Sequence, residues 1–225
     1  LDVATGDGSF IYLLAAYLKD FTEIIGIDCD ASAVELSRNS IRDNRISFEC
    51  MSGERLLYPD SSFDTVSISN SLHHLPDIKK TLNEMLRVLK PGGLFIINEL
   101  FCDGQNEKQL SHVLLHHLQA EVDTLLGIPH DKTFEKQKIL DIAGNMGLVG
   151  LRSFVHENEM FNKYVQADKF TERYRGFVER LKGHPQYDRY AAELDALVGR
   201  LKSTGVEFAS QLMILGNKAM SEGNK

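Results

Sequence analysis

The apolar positions of this chain fall into short β-branched runs separated by stretches with helical spacing. This alternation builds a largely parallel sheet covered by helices. Leu1–Val3 closes a first strand, and a helix opens at Ser9 with Ile11, Leu14, Ala15 and Leu18 on its buried stripe. Glu23–Ile27 is a second buried strand with Asp28 at its C-terminal tip, and Ala31–Asp43 follows as a helix with Val34, Leu36 and Ile41 as core. Ile46–Cys50, Thr65–Ser69 and Leu94–Glu99 supply three further strands. Ile78, Leu82, Met85, Leu86 and Leu89 recur at helical spacing before the fifth strand, and Pro91-Gly92-Gly93 stops that helix.

Beyond strand five, Glu107–Gly127 is helical, with Leu110, Leu114, Leu118, Val122 and Leu125 apolar. A second helix starts at Thr133 as N-cap and runs through Ile139, Leu140 and Ile142 into a sixth strand, Val149–Val155. Before the last strand, Glu207–Leu215, two more helices are separated by Gly183-His184-Pro185. One has Tyr174, Phe177, Val178 and Leu181 on one side, the other Tyr190, Leu194, Leu197, Val198 and Leu201.

The turn after the first strand carries the most specific chemistry. Gly6 and Gly8 allow positive φ and close approach of a ligand to the backbone, and Asp28, twenty positions after Gly8, stands where an acid accepts from ribose hydroxyls. Read as the dinucleotide pattern G-x-G-x-x-G, the turn offers Ala4, Gly6 and Ser9, one glycine of three. Read as an acid two residues before x-G-x-G, it offers Asp2, Gly6 and Gly8, with Ala4 in place of the first glycine, a tolerable change if φ there stays negative.

That second spelling resembles motif I of class I S-adenosylmethionine-dependent methyltransferases. Two later stretches, Leu56 to Leu75 with Phe63-Asp64 and His73-His74-Leu75, and Leu86 to Ile97 with Leu89-Lys90-Pro91-Gly92-Gly93, resemble the small-molecule members of the ubiquinone and menaquinone biosynthesis type. The resemblance covers residues 1 to 100. It implies an α/β fold: a Rossmann-like, doubly wound, seven-stranded, mostly parallel sheet with an antiparallel last strand. It also implies S-adenosylmethionine as cofactor, S-adenosylhomocysteine as product and a small-molecule acceptor. Carried onto this chain, the cofactor residues are Asp2, Ala4, Thr5, Gly6, Gly8, Asp28, Cys29, Ser52, Gly53 and Asn70. Ser52 stands where the family usually places an acid for the adenine amino group.

On this reading residues 1–225 are one methyltransferase domain cut before its first strand, since Leu1 already lies inside it, with helical insertions at 103–132 and 157–204. Both insertions meet the ligand edge of the sheet, which suits a substrate lid; alternatively their apolar stripes form a homodimer interface. Methyl transfer from a sulfonium is an in-line displacement, and a general base is needed only where the acceptor must lose a proton. His74 and His116 are the candidate bases, and His73, His74, Glu99, His112 and His116 the candidate substrate contacts. His112 and His116 stand at i, i+4 with Gln119 and Asp123 further along that face, and His117 pairs in spacing with Glu121. Such spacing can hold a metal, but a polar helix face is the simpler account, and no metal is expected.

Composition narrows the alternatives. A net charge of −7 and a pI near 5.6 argue against nucleic acid as partner. No apolar run reaches the roughly 18 residues of a membrane span, and Cys29, Cys50 and Cys102 form neither a disulfide framework nor a zinc spacing, so a cytoplasmic protein is expected. A nicotinamide-dependent oxidoreductase is the alternative enzyme, and a non-catalytic S-adenosylmethionine-binding subunit the alternative outside enzymes.

Overall fold

A computed structural model describes residues 1–157 and 162–220. Residues 158–161, at the start of the second expected insertion, lie outside the described residues. One sheet contains β1 (Asp2–Val3), β2 (Ile24–Asp28), β3 (Ile46–Cys50), β4 (Phe63–Ser69), β5 (Leu89–Leu100), β6 (Leu148–His156) and β7 (Gln211–Lys218), in the order β3-β2-β1-β4-β5-β7-β6. The helices are α1 (Ser9–Tyr17), α2 (Ala31–Ser40), α3 (Ile78–Val88), α4 (Glu107–Leu125), α5 (Lys136–Gly144), α6 (Ala167–Glu179) and α7 (Tyr187–Thr204). The sheet is mostly parallel with an antiparallel end to the chain, the Rossmann-like architecture expected. β1 pairs in parallel with both β2 and β4, Asp2 lying opposite Gly26 and Ser67. Strand order therefore reverses between β1 and β4, and in open α/β sheets a ligand binds beside that reversal at the carboxyl ends of the strands.

The chain divides into two compact units: Leu1–Glu99 with Leu140–Phe154 and the C-terminal strand, and Leu100–Ile139 with Val155–Leu212. In the first, Ile11, Ile24, Val34 and Phe48 join α1, α2, β2 and β3 in one buried cluster. Gly26 makes that cluster possible, because a Cβ there would come within 2.6 Å of Ile11 and 2.8 Å of Phe48. In the second unit the expected stripes of α6 and α7 pack on α4: Tyr174, Val178, Leu181, Tyr190, Leu194, Val198 and Leu201 surround Leu115, Leu118 and Val122. The apolar surfaces weighed for a homodimer are thus consumed within the unit.

Several boundaries differ from the expectation. Leu36 is 54% exposed because α2 presents a narrower apolar face than its composition suggests, and Leu18, 37% exposed, lies past the end of α1 in extended backbone. β5 begins at Leu89 and carries Pro91-Gly92-Gly93 inside it, with a register shift against β4 between Phe63 and Thr65. The glycines there make a bulge in the strand, where the sequence pattern placed a break before it. Thr133 does not cap α5, which starts at Lys136; the Lys136 amide donates to Asp103 Oδ1 at 2.6 Å. β7 starts at Gln211, four residues later than its apolar pattern implied.

The motif stretches after β3 and in α3 have a mechanical explanation. Arg87 donates to the carbonyls of Leu56 and Tyr58 at 2.8 and 2.9 Å and pairs with Glu84 and Asp60. Glu84 in turn accepts the Leu56 amide at 2.9 Å. One arginine on α3 therefore staples the loop leading into β4.

Candidate cofactor site

The turn after β1 is held from three sides. The Thr5 amide donates to the Ile27 carbonyl at 2.9 Å, Ser37 Oγ of α2 donates to the Gly6 carbonyl at 2.8 Å, and Ser71 Oγ after β4 donates to the Ala4 carbonyl at 3.1 Å. The fourth tie is the Gly6 amide, which donates to Asp28 Oδ2 at 2.9 Å, while Asp28 Oδ1 accepts the Asp30 amide at 2.9 Å. Asp28 is thereby oriented through both oxygens at the tip of β2, and each oxygen retains acceptor capacity, the property a ribose diol needs.

Gly6 and Gly8 have φ of +56° and +80°, as the turn required, and a Cβ on Gly6 would meet nothing within 4 Å. The backbone at Gly6 thus faces open space. Ala4 departs from the expectation: its φ is +54°, so the condition under which alanine was tolerable is not met. A left-handed residue with a Cβ costs roughly 1–2 kcal/mol, which the ties at Ala4, Thr5 and Gly6 hold in place. Asn70, at the end of β4, is likewise left-handed at φ +48°, and its amide donates to the Asn98 carbonyl at 2.7 Å. Asparagine accepts that conformation more readily than most residues.

Asp2 is buried in β1 and accepts Ser67 Oγ at 2.6 Å. Burial pushes its carboxyl up to about 6, against the opposing hydrogen bond from Ser67. It supports the turn from beneath. Cys29 and Ser52 stand at the ends of β2 and β3, exposed as whole residues; partial desolvation of the sulfur and the nearby Asp28 push the Cys29 thiol up, and Ser52 Oγ accepts the Glu54 amide at 3.2 Å. Gly53 lies against Val3 and Thr81, where a Cβ would come within 2.9 Å. It acts as a packing glycine.

Among the candidate substrate residues, Glu99 and His73 are buried. Glu99 Oε2 accepts the amides of Ser71 and Leu72 at 3.1 and 2.9 Å, and Oε1 lies 2.7 Å from His73 Nδ1. Glu99 was expected as an acid aimed at the cleft; it instead fixes the 3-10 turn Leu72–His74. His74, in the same turn, is half-buried.

The second unit holds the remaining histidines. His112 accepts the Ala209 amide on Nδ1 at 3.0 Å and sits edge-on to Phe170 and Phe208, and burial lowers it to about 4. It is a neutral packing residue. His117 pairs with Thr133 Oγ1 at 2.8 Å, and Glu121 with Lys132 at 2.6 Å. His116 faces a residue the sequence reading passed over: its Nε2 lies 3.2 Å from His130 Nε2, and His130 Nδ1 lies 2.8 Å from Asp123 Oδ2. His130 stands in the loop after α4, where no periodicity marks it.

Residues 1–97 match the family model described as a methyltransferase domain. The match covers 97 of the 225 residues. Over 103 residues, 44% of this chain and 40% of the relative, the chain is 37% identical to the ubiquinone/menaquinone biosynthesis C-methyltransferase UbiE of Geobacter sulfurreducens. The chain spans about two fifths of the length of that relative, 40%. The likeness of fold extends further than the sequence match. The crystal structure of the [4+2]-cyclase SpnF superposes with a TM-score of 0.60 at 19% identity, over 98% of this chain and 74% of that one. Phosphoethanolamine N-methyltransferase 2 of Haemonchus contortus, solved with S-adenosylhomocysteine and phosphomonomethylethanolamine, gives 0.59 at 15% identity, over 97% and 48%. At these identities the likeness is one of fold.

Proposed function

We propose that the chain is an enzyme that transfers the methyl group of S-adenosylmethionine to a small-molecule acceptor. The observation carrying this reading is the tie between the left-handed Gly6 turn and Asp28 beside the reversal of strand order, with open space over Gly6. The residues fit the cofactor: Asp28 would hold the ribose, the Ala4–Gly8 backbone would underlie the methionine portion, and Asn70 would border it. Ser52 suits adenine less well than an acid, since it offers only a hydroxyl. Bound S-adenosylmethionine supplies an electrophilic methyl group on a good leaving group.

The protein's part is then to position the acceptor and keep water away. The lid role of the insertions rests on connectivity, because the chain leaves β5 at its carboxyl end to form α4 and forms α6 and α7 before β7. Of the candidate bases, His74 and His116 are half-buried. The relative's name refers to ubiquinone and menaquinone, so a quinol-like ring compound is the first acceptor to try. The acidic balance, −7, disfavours a polyanion. Among the described residues no helix is long and apolar enough to cross a membrane.

Calorimetry with S-adenosylmethionine, S-adenosylhomocysteine and NAD tests the cofactor. Binding of the first two is expected; NAD binding without them would replace this reading by an oxidoreductase. Asp28→Ala is expected to weaken S-adenosylhomocysteine binding by about 1–3 kcal/mol, through loss of a charged acceptor. A tritiated-methyl screen over small-molecule pools tests transfer, and cofactor binding with no labelled product in any pool would favour a non-catalytic subunit.

A further inference from the structure

Within the second unit, His116 of α4 and His130 of the following loop point their Nε2 atoms at each other across 3.2 Å, with rings inclined at 67°. The far side of His130 is fixed. Its Nδ1 lies 2.8 Å from Asp123 Oδ2, and Asp123 Oδ1 accepts from Arg180 Nη1 at 2.7 Å. With the Arg180 guanidinium on one oxygen, Asp123 accepts the Nδ1–H of His130 on the other. The Nε2 lone pair of His130 therefore faces His116.

His116 can meet that lone pair in two ways: with its own Nε2–H, as an ordinary hydrogen bond, or with its Nε2 lone pair across a shared metal ion. The separation suits both. Two Zn–N bonds of about 2.0–2.1 Å at the tetrahedral angle put the nitrogens about 3.3 Å apart. Two further features favour the ion. A histidine ligand characteristically donates its other N–H to a carboxylate, which fixes its tautomer and raises its basicity, and Asp123 does this for His130. In addition, Gln119 Oε1 is buried and has no hydrogen-bond partner, although its own Nε2 reaches Asp123 Oδ2 at 3.4 Å. Gln119 lies one turn along α4 from His116, so an orphaned acceptor sits on the face that carries the pair. An ion or its bound water would satisfy that oxygen; a proton between two imidazoles would not.

We propose that His116 and His130 are two ligands of a divalent transition-metal site, with Asp123 orienting His130 and Gln119 Oε1 binding the ion or its water. Paired imidazoles with an oxygen donor select zinc and its neighbours over magnesium or calcium. The site itself does not depend on the methyl-transfer reading.

The test uses the full chain, stripped with a chelator and titrated with Co²⁺ as a spectroscopic stand-in for zinc. One equivalent is expected to bind with a visible ligand-field band and without the near-ultraviolet band of a thiolate, which would indicate the cysteines. His116→Gln and His130→Asn are expected to weaken binding at least tenfold, and Asp123→Asn by about 10–100-fold. S-adenosylhomocysteine affinity, measured on the same samples, should stay unchanged. The half-buried His116 keeps the test usable if the His130 variant fails to fold. No band at millimolar Co²⁺, or equal affinity in His116→Gln, would overturn the site and leave a proton between the rings. Metal binding without cofactor binding would retain the site and defeat the methyltransferase reading; the reverse would do the opposite.

Discussion

Glu99 and Asp123 are both buried carboxylates that hold a histidine, at 2.7 and 2.8 Å, yet each uses its remaining capacity differently. Glu99 also takes the amides of Ser71 and Leu72, so it fixes a turn of main chain. Asp123 takes Arg180 and Gln119, and the ring it holds faces another ring. Further pairs of each kind are found among the two units. In the first, Asp28, Ser37, Ser71 and Arg87 bond to backbone at Gly6, Ala4, Leu56 and Tyr58. In the second, His117 meets Thr133, Glu121 meets Lys132 and Tyr190, and Asp123 meets His130. Side chains that hold backbone fix loops and therefore stability; side chains that hold one another fix the orientation of reactive groups.

The strongest test of this contrast compares the two carboxylates. Glu99→Ala is expected to cost about 3–5 kcal/mol in urea unfolding, because two amides and a buried histidine lose their acceptor together. Asp123→Asn should cost only about 1 kcal/mol, since Arg180 remains partly solvated and the amide can still accept a hydrogen bond. Equal losses would erase the distinction.

Asp2 sharpens the comparison through pH. Its carboxyl rises from 3.8 to about 6 on folding, so folding favours the protonated form. That contribution is fully present below the unfolded value and is lost as pH climbs through about 6, a change of about 3 kcal/mol. Asp2→Asn is expected to abolish this dependence and to be more stable than the wild type at pH 7.5, while the two converge near pH 4. Parallel unfolding curves at both pH values would show that Asp2 is not held as described.

The smallest expected effect concerns backbone alone. Ala4→Gly should relieve the strain at φ +54° and raise stability by about 0.5–1 kcal/mol, net of glycine's greater unfolded-state entropy. A loss of stability in thermal unfolding would mean that the methyl group packs usefully.

The elements and the glycine turn after β1 were readable because each rests on local chemistry. Hydrophobic period distinguishes strand from helix, positive φ calls for glycine, and an acid after a buried strand ends at the sheet's ligand edge. What was misread depended on partners distant in the chain. Thr133 has the composition of an N-cap, but its hydroxyl pairs with His117 and Asp103 caps α5 from thirty-three residues away. Glu99 looked like a ligand because its position at a strand tip is visible, whereas the turn it binds is not.

His112, His116 and Asp123 looked like one group on a helix face, and only part of that group exists. Helical spacing aligned the three correctly along α4, but Phe170 and Phe208 claim His112, and the loop after the helix delivers His130 in its place. The amino-acid sequence by itself determined the alternation of strand and helix and the turn from Asp2 to Gly8, which depend on neighbours a few residues apart. Tertiary structure alone decided which buried polar groups meet, because a hydrogen bond between side chains fourteen or fifty-seven positions apart leaves no period to read.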